Sequence, residues 1–498
     1  MASVQLVSYM KICFNHNYYL RHDGERTILS TNPYAQDINV KNGWLTRIHP
    51  LYAMIFAIVS QPIELRDALN NIAAFFSISE DEAEKILLPF LKEEGIIEAV
   101  YQKTVSYFPP KILLKEDVDA FVLHGTYSPS QFVYTSIDLT SFRMKTAPQG
   151  IVLIINNRCI TDCIYCYADK KHKCIESPDL RTVESLLQNA QRLGIRELQV
   201  IGGEFFLYPE WEKLLELFDK YGFYQSLIST KVPLNKEQIH SFKRYNIRLQ
   251  ISFDAFDDIL LRRTLNVSAS YFDKMKSTIK MVDEAGIHFQ IATVLTKQTA
   301  NLDNINDLYT FLNELKHIRR WEIRQAFRSL YSASNFNDIK VPADFENKLN
   351  EWYQEVAKKT NINIVLTPTD NTKYFTAKNA STSFEGPRCS ANSTHMVILP
   401  DGKVTICEQL YWNPRFIIGD IYKNSIEEIW RGERALELAN WQQNKIQKNS
   451  PCSSCDLFEK CLNFPNKCFA NTIKAYGDDN WDYPDPRCSR ALPFIHEL

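Results

Sequence analysis

Short apolar runs alternate with segments that repeat apolar residues every three or four positions over the middle of the chain. The apolar runs predict β-strands at 151–155, 197–201, 225–229, 248–252, 287–294 and 320–326. The periodic segments predict amphipathic helices near 180–193, 209–221, 235–243, 271–285, 303–315 and 343–359. Because strand–helix alternation is typical of a parallel sheet, we expect an α/β fold with a partial (β/α)6 barrel of the TIM type over residues 149–370.

The first 105 residues follow a different pattern, in which strands come before helices. The predicted strands lie near 4–14, 18–20 and 27–29, with a returning strand at 96–100. The predicted helices span 49–59, 63–76 and a segment that runs from the capping box of Ser79 and Glu82 to residue 94. This order predicts an N-terminal winged-helix-like module over 1–105. Residues 106–148 lack long periodicity and are predicted to be a bridging segment.

Length and charge narrow the classes of function. At about 150 residues per domain, 498 residues predict about three domains. The formal net charge is −2, which gives no general basis for binding nucleic acid. A DNA-binding winged helix is disfavoured, because residues 1–100 contain eight Lys and Arg against twelve Asp and Glu. The pattern of residues 1–105 resembles instead the precursor-peptide recognition element of ribosomal-peptide maturases. Capture of a peptide by strand addition needs no basic face, only unpaired backbone groups and apolar pockets, and residues 18–29 are the predicted docking edge.

The chain has twelve cysteines but no pattern typical of secretion or membrane insertion. Its longest apolar run, residues 51–59, is far shorter than the ~20 residues that cross a bilayer. No basic segment followed by an apolar stretch opens the sequence, and its CxxC spacing favours metal binding over disulfides. We therefore expect a cytoplasmic protein that binds neither a membrane nor nucleic acid.

Three cysteines, Cys159, Cys163 and Cys166, form a CxxxCxxC triplet after the first predicted barrel strand. Three thiolates can hold three irons of a 4Fe-4S cluster and leave the fourth iron open, whereas a structural zinc site needs four ligands. Tyr165 precedes the last cysteine, and Gly202-Gly203-Glu204 ends the next predicted strand. The cysteine spacing, the aromatic residue and the Gly-Gly-Glu sequence together resemble the radical S-adenosylmethionine (SAM) superfamily.

This resemblance implies a SAM-binding 4Fe-4S cluster at the carboxyl ends of the barrel strands. When reduced, such a cluster cleaves SAM to a 5'-deoxyadenosyl radical that removes hydrogen from unactivated carbon. The implied SAM contacts are Gly202, Gly203 and Glu204 for the amino group, Ser252 for the carboxylate or ribose, Arg263 or Arg262 for the carboxylate, and Thr230 and Thr293 on the same rim. Asp254 is predicted to contact substrate or SAM, and Phe205 stands where the family commonly has proline.

Seven further cysteines lie in the last quarter of the chain. They are Cys389, Cys407, Cys452, Cys455, Cys461, Cys468 and Cys488. Together with an Asp-Gly turn predicted at residues 401–402, they resemble the SPASM domain, the auxiliary-cluster extension of peptide-modifying radical SAM enzymes. The interval between Cys461 and Cys468 is longer than the family pattern. We predict a SPASM domain over 371–498.

The SPASM resemblance implies two auxiliary iron-sulfur clusters. Cys452, Cys455, Cys461 and Cys488 are implied to hold one cluster, and Cys389, Cys407 and Cys468 the other. The second set lacks a fourth local cysteine, so its last iron is either open, for example to a substrate thiolate, or bound by Cys13 or Cys174. Glu408, directly after Cys407, matches the acidic residue that accepts a proton in sulfatase-maturing relatives.

The sequence thus predicts an oxidoreductase of the radical SAM/SPASM type that modifies a ribosomally made precursor peptide. The expected reaction is hydrogen abstraction followed by an intramolecular thioether or carbon–carbon crosslink, with a flavodoxin- or ferredoxin-type electron donor. The alternatives are sulfatase-maturase-like oxidation of a Cys or Ser side chain, epimerisation or backbone excision, and a binding scaffold with zinc in the cysteine sites. Iron content distinguishes the zinc scaffold from the enzyme, since three clusters of four irons give about twelve irons per chain.

Overall fold

A computed structural model describes residues 10–32, 44–115, 126–172, 174, 176–223, 226–332, 335–367 and 388–496. The chain divides into two compact units, Met1–Thr146 and Ala147–Leu498. The part of the first predicted strand that precedes residue 10 lies outside the described residues. Within the described ranges, no helix combines the length and apolar content needed to cross a bilayer.

The described part of the first unit contains eight short strands in three sheets. They are β1 (Lys11–Phe14), β2 (Tyr18–His22), β3 (Thr27–Thr31), β4 (Leu45–Ile48), β5 (Ile63–Glu64), β6 (Ile97–Tyr101), β7 (Thr104–Phe108) and β8 (Leu113–Lys115). The sheet orders are β2-β3-β4, β5-β1-β8 and β6-β7, with antiparallel pairing throughout. Consequently β3 is paired on both sides, and β2 and β4 are the edges of the first sheet. β8 comes from the segment predicted as a bridge.

Three helices lie where the periodicity predicts them: α1 (Pro50–Ile58), α2 (Leu65–Phe76) and α3 (Glu80–Leu87). The capping box is confirmed, because the Ser79 hydroxyl accepts from the Glu82 amide and the Glu82 carboxylate accepts from the Ser79 amide. α3 ends at Leu87, so the predicted end at residue 94 is wrong. Pro89 lacks an amide proton, and the chain continues there as a 3-10 turn.

The core of the first unit is centred on Phe14, Phe56, Phe90 and Phe108, all buried. The Phe90 ring meets the rings of Phe56 and Phe108 edge to face, with centroids 5.0 and 4.9 Å apart. Such pairs add to the free energy gained by apolar burial. Because these rings come from β1, α1, the 3-10 turn and β7, they join the sheets to the helices. The winged-helix-like architecture of this unit remains a prediction.

The second unit is built on one sheet of ten strands. They are β9 (Gly150–Ile154), β10 (Glu197–Ile201), β11 (Leu227–Thr230), β12 (Arg248–Ser252), β13 (Phe289–Leu295), β14 (Ile318–Gln325), β15 (Asn363–Leu366), β16 (His395–Ile398), β17 (Lys403–Thr405) and β18 (Ile417–Asp420). β9 to β14 correspond to the six predicted strands and pair in parallel in chain order. An α/β fold with a large parallel sheet is therefore confirmed.

The sheet extends beyond the six predicted strands on both sides. β15 pairs in parallel with β14, and β16 pairs in parallel with β9, which makes eight parallel strands from β9 to β16. β17 and β18 continue the sheet in antiparallel fashion after the hairpin at Asp401 and Gly402, where the φ of +80° favours glycine. Among the described residues the sheet is open, with β15 and β18 at its edges. The strand that follows Cys389, β16, is therefore a direct neighbour of β9, the strand that leads to the cysteine triplet.

Helices separate the parallel strands as the alternation predicts. They are α4 (Leu180–Arg192), α5 (Trp211–Lys220), α6 (Lys236–Arg244), α7 (Asp258–Leu265), α8 (Tyr271–Glu284), α9 (Leu302–Asn313) and α10 (Ala343–Val356). The C-terminal region adds α11 (Ile426–Trp430), α12 (Glu433–Ala439), α13 (Phe458–Asn463) and α14 (Phe469–Tyr476). α7 is additional to the predicted helices. Because parallel strands end at one edge of a sheet, residues that follow β9 to β14 share one rim.

Candidate functional site

The cysteine triplet lies in the loop that leaves the carboxyl end of β9. Two backbone hydrogen bonds attach this loop to α7: the Asp162 amide donates to the Leu265 carbonyl, and the Ile164 amide donates to the Thr264 carbonyl, each at 3.0 Å. The last carbonyls of a helix have no partner inside it, so the loop and the helix end satisfy one another. The short helix α7, which the sequence pattern missed, thereby fixes the cysteine loop.

The three thiols of the triplet lie close together. The Thr161 hydroxyl is 3.2 Å from the Cys159 sulfur and 3.4 Å from the Cys163 sulfur. Burial raises the pKa of Cys166, and the nearby charges of Cys163 and Cys159 act in the same direction. One loop therefore offers three neighbouring thiols to a single iron-sulfur cluster.

Gly202 and Gly203 follow β10 at the point where the chain passes the start of the cysteine loop. Their φ values are +87° and +41°, a region that favours glycine. A Cβ on Gly203 would overlap the Arg158 carbonyl oxygen and lie 2.7 Å from the Arg158 amide nitrogen. The Glu204 amide donates to that same carbonyl at 2.6 Å. The two glycines thus let the end of β10 touch the residue before Cys159.

The Glu204 carboxylate is buried beside this contact. It accepts hydrogen bonds from the Thr230 hydroxyl at 2.8 Å and from the Lys231 amide at 3.1 Å. Burial raises the pKa of Glu204, and the two hydrogen bonds act in the opposite direction. The structure therefore brings Glu204 and Thr230, both predicted from the sequence, together at the ends of β10 and β11.

A buried ion pair joins Lys231, after β11, to Asp254, after β12. The Lys231 nitrogen lies 3.1 Å from an Asp254 oxygen and donates to the Tyr165 hydroxyl, which donates to Asp254. Burial disfavours the charge on Lys231, but Asp254 and Tyr165 outweigh it and hold the pKa of Lys231 well above its usual value. Asp254 thus lies against the cysteine loop. Sequence reasoning missed Lys231, although a lysine directly after a barrel strand is a signal for this rim.

Ser252 and Thr293 differ in their positions. Ser252 ends β12 on the rim and is half-buried. Thr293 is fully buried inside β13, where its hydroxyl donates to the Phe253 carbonyl at 2.7 Å and accepts from the Trp321 indole at 2.9 Å. The sheet itself therefore engages the Thr293 hydroxyl, and the structure does not bring this residue to the rim.

The two arginines predicted to contact the SAM carboxylate are exposed on α7. Arg262 pairs with Asp258 one helical turn earlier, at 2.9 Å. An exposed ion pair at this spacing adds little to the free energy of unfolding. Losing it would cost little, so the pair does not prevent either arginine from contacting another group. Phe205, at the usual proline position of the family, is buried and begins a 3-10 turn that continues the Gly-Gly-Glu segment.

Cys389, Cys407 and Cys468 come together beyond the β16–β17 hairpin. Burial raises the pKa of Cys389 to about 12, and the nearby charge of Cys468 adds to the rise. Burial also raises the pKa of Cys407 well above its usual value, together with the charges of Glu408, Cys468 and Cys389. The Asn471 amide points at the Cys468 sulfur at 3.4 Å. These three thiols form one buried group.

The other four C-terminal cysteines form a second group. Burial raises the pKa of Cys461 to about 12, and Cys452, Cys488 and Cys455 add to the rise. The Arg490 guanidinium donates to the Cys455 sulfur at 3.0 Å, and the Arg490 amide points at the Cys488 sulfur at 3.4 Å. The seven cysteines thus separate into a group of four and a group of three, while iron ligation by each group remains a prediction.

Glu408 lies beside the group of three cysteines. Its carboxylate oxygen is 3.7 Å from the Cys407 sulfur. Burial raises the pKa of Tyr167, and the charges of Glu408, Cys166 and Cys407 add to the rise. Tyr167 therefore has charged neighbours from both cysteine sites.

Two cysteines are not part of these groups. Cys174 is buried, and burial raises its pKa; its charged neighbours include Asp401 and Lys403 at the start of the hairpin. Cys13 belongs to the first unit, where burial raises its pKa to about 12 and its thiol points at the Phe14 and Ser60 carbonyls. These environments are typical of packed thiols rather than cluster ligands.

Two cavities share the lining residues Arg328, Ser329, Leu330 and His496. One, of about 430 Å³, is also lined by Tyr165 of the cysteine loop. The other, of about 490 Å³, is also lined by Lys474, whose charged neighbours include Cys468 and Cys407. A substrate segment in these cavities would contact residues that neighbour both predicted cluster sites.

The donor chemistry of the cysteine groups fits iron-sulfur clusters. A cubane separates its thiolates by four irons, and its ligands are thiolates, as in all three cysteine groups.

Two segments of the chain match known protein families. Residues 153–311 match the radical SAM superfamily, and residues 389–456 match the SPASM iron-sulfur cluster-binding domain. The chain therefore carries a radical SAM domain followed by a SPASM domain. A radical SAM domain followed by a SPASM domain implies SAM and 4Fe-4S clusters as cofactors. The radical SAM match begins within β9 and ends within α9, and it includes the cysteine triplet and the Gly-Gly-Glu segment.

Individual relatives are distant. The antilisterial bacteriocin subtilosin biosynthesis protein AlbA of Bacillus subtilis is 22% identical over 319 residues, 62% of this chain and 65% of that protein. The chain therefore spans just under two thirds of AlbA. A probable GTP 3',8-cyclase of Methanothermobacter thermautotrophicus is 22% identical over 273 residues, 51% of this chain and 82% of that protein. SuiB of Streptococcus suis, solved with SAM bound, shares the fold with a TM-score of 0.65 at 16% identity, over 96% of this chain and 100% of that one.

Proposed function

We propose that this protein modifies a ribosomally made precursor peptide by abstracting hydrogen from one of its residues and forming an intramolecular thioether or carbon–carbon crosslink. The observation that carries the proposal is a pair of cavities with four lining residues in common, one lined by Tyr165 of the cysteine loop and the other by Lys474, a neighbour of Cys468 and Cys407. A peptide there would reach both sites at once. AlbA is named for the biosynthesis of a bacteriocin, and SuiB has been solved with its precursor peptide SuiA, which agrees with this substrate class.

The bound cofactors supply a 5'-deoxyadenosyl radical and a site that takes up the surplus electron. The chain holds and orients the reactants. We assign Gly202, Gly203 and Glu204 to the SAM amino group, with Thr230 fixing the Glu204 carboxylate at 2.8 Å. Ser252 is assigned to the SAM carboxylate or ribose, and Arg263 stays a candidate for the carboxylate. A flavodoxin- or ferredoxin-type protein is the proposed electron donor.

Glu408 is the proposed proton acceptor for the peptide. Crosslinking removes a proton from the substrate, and the base must lie within hydrogen-bond reach of it. The Glu408 carboxylate lies beside Cys407 and near Tyr167. Asp254, by contrast, uses both oxygens within the protein, on Lys231 and on the Val294 amide. We therefore assign Asp254 to the SAM side of the site and proton transfer to Glu408.

The first unit is the proposed docking module for the precursor. An extended peptide can add as a strand to a free sheet edge, where backbone groups give affinity and side-chain pockets give specificity. The sequence favours residues 18–29 as the docking edge. The end of this segment belongs to β3, which is paired on both sides and therefore offers no free edge to a peptide. The Leu20 amide of β2 bonds the Tyr127 hydroxyl at 3.2 Å. β4 is the other edge, and Leu45 at its start is exposed.

Removing the first unit is expected to weaken peptide binding while sparing SAM cleavage. A chain of residues 147–498 keeps every cysteine of the three groups, whereas a cut at residue 105 would separate β8 from β1. We expect the dissociation constant of the peptide encoded beside this gene to rise about tenfold or more, a loss of about 1.4 kcal/mol. Fluorescence anisotropy with the labelled peptide measures it.

A point variant makes the same test without truncation. Leu45→Lys adds charge to the exposed start of β4 and should weaken peptide binding, while Glu80→Ala, on an exposed helix start of the same unit, should not. 5'-Deoxyadenosine formation without peptide should match the unaltered protein in both variants. Undiminished affinity of the 147–498 chain would instead favour sulfatase-maturase-like oxidation of a protein side chain.

The group of three cysteines is expected to leave one iron open for the substrate. Cys174, the rival ligand, has Asp401 and Lys403 among its charged neighbours rather than a cluster cysteine. Adding a cysteine-bearing precursor anaerobically should change the spectrum of this cluster, and a Cys→Ser precursor should not, because thiolate is the preferred ligand of iron. Loss of the cluster in Cys174→Ala, or a spectrum indifferent to the precursor thiol, would favour carbon–carbon bond formation.

A further inference from the structure

The Lys231 ammonium has a third partner besides Asp254 and Tyr165. Its nitrogen lies 3.8 Å from the sulfur of Cys163 and donates toward it. An ammonium has three protons, and here each has a partner: the Asp254 carboxylate, the Tyr165 hydroxyl and the Cys163 sulfur. The side chain is only 14% exposed, so this charge acts on the sulfur through protein rather than water.

Two backbone hydrogen bonds and a buried charge partner fix the position of Lys231. Its amide donates to Glu204 at 3.1 Å, and its carbonyl accepts from the Tyr271 hydroxyl at 2.8 Å. Asp254, its charge partner, is fully buried and is itself fixed by the Val294 amide at 2.9 Å. The ammonium therefore has little freedom to turn away from the cysteine loop.

We propose that Lys231 is the charge partner of the SAM-binding cluster and favours its reduced state, with Asp254 partly cancelling that effect. Reduction adds one electron, from an external donor, to a group that already carries thiolate charge. A fixed positive charge at contact distance stabilises the more negative state more than the less negative one. Hydrogen bonds to cluster sulfurs and local net charge set the potentials of such clusters. No bond forms or breaks at Lys231, and its proton stays in place.

This inference rests on the proposed assignment of Cys163 as a cluster ligand. It makes a prediction of opposite sign for the two members of the ion pair. Lys231→Met removes the positive charge and should make the cluster harder to reduce. Asp254→Asn removes the opposing negative charge and should make it easier to reduce. Lys231→Arg keeps the charge and should stay closest to the unaltered protein. A purely structural role would not give shifts of opposite sign.

The experiment is a redox titration of the reconstituted full-length protein with dithionite, without SAM, followed by electron paramagnetic resonance. The relevant signal is the one that disappears when Cys159, Cys163 and Cys166 are all replaced by alanine. We expect the reduction equilibrium to change at least tenfold in each direction, which is 59 mV for one electron. Iron content should be unchanged in all three variants. If Lys231→Met fails to assemble the cluster, Asp254→Asn alone decides the sign.

Two results would overturn the inference. Shifts of the same sign for Lys231→Met and Asp254→Asn would mean that the pair acts only on structure. An unchanged titration of Lys231→Met, combined with weaker SAM binding by calorimetry, would mean that Lys231 contacts SAM instead of tuning the cluster. A signal that survives the triple cysteine replacement would refute the ligand assignment itself, which is a failure of the proposed function and is distinct from both results.

Discussion

Replacing Cys159, Cys163 and Cys166 together with alanine is expected to abolish formation of 5'-deoxyadenosine from SAM. The three thiols lie on one loop, and the Thr161 hydroxyl contacts the sulfurs of Cys159 and Cys163 at 3.2 and 3.4 Å. The auxiliary cysteines lie elsewhere in the chain, between residues 389 and 488. Iron per chain should therefore fall from about twelve to about eight, because one of three cubanes is lost. Anaerobic reconstitution, iron analysis and chromatography of the nucleoside products measure both effects.

Cys174→Ala is the matched control for this replacement. It also removes a buried thiol near the cysteine loop, but Cys174 lies by Asp401 and Lys403. We expect it to retain about twelve irons and full SAM cleavage. Measurable 5'-deoxyadenosine from the triple variant, or loss of SAM cleavage in Cys174→Ala, would contradict the assignment of the SAM cluster.

Gly203→Ala is expected to reduce SAM cleavage by about 100-fold, the effect of displacing reacting groups by about 1 Å. The added Cβ would overlap the Arg158 carbonyl oxygen and approach the Asn156 side chain. These neighbours are backbone or buried, so the loop that begins with Cys159 must move. The same displacement should lower the yield of the SAM cluster while sparing the auxiliary clusters. Product formation and iron content report the two effects separately.

Gly286→Ala separates this steric effect from backbone strain. Gly286 also has a positive φ, +74°, but the nearest atom to an added Cβ is 3.9 Å away, on His317. It lies before β13, at the opposite end of the sheet from the cysteine loop. An alanine there should cost about 1–2 kcal/mol of stability from its left-handed conformation and leave SAM cleavage unchanged. Equal losses of activity in the two variants would mean that strain, and not contact with the cysteine loop, explains Gly203.

The sequence predicts correctly the strands and helices that have strong periodicity. β9 to β14 and the long helices between them match the predicted segments because a buried parallel strand and an amphipathic helix leave distinct apolar patterns. The Asp401–Gly402 turn was equally clear, since its geometry depends on glycine. α7 was missed because a helix of eight residues presents only two turns of pattern. The pairing of β16 with β9 was also missed, since periodicity does not encode a strand's distant partner.

The residues of the candidate site were likewise predicted only in part. Cysteines and the Gly-Gly-Glu segment could be found from spacing, because their chemistry restricts which residues can stand there. Lys231 was missed. Its position directly after β11 indicates the rim, but its role depends on Asp254, Tyr165 and Cys163, which meet across three loops. Thr293 was predicted for the rim on its residue type and strand position, yet its hydroxyl bonds within the sheet. Strand position alone does not determine which hydroxyls face a ligand.

The most direct test is to incubate the anaerobically reconstituted protein with SAM, dithionite and each short peptide that the neighbouring open reading frames encode. Mass spectrometry of the peptides and quantification of 5'-deoxyadenosine give the result together. We expect one peptide to become lighter by two hydrogen atoms, with at least one 5'-deoxyadenosine formed per modified peptide. Peptides of unchanged mass, from a protein that contains zinc in place of iron and forms no 5'-deoxyadenosine, would contradict this expectation.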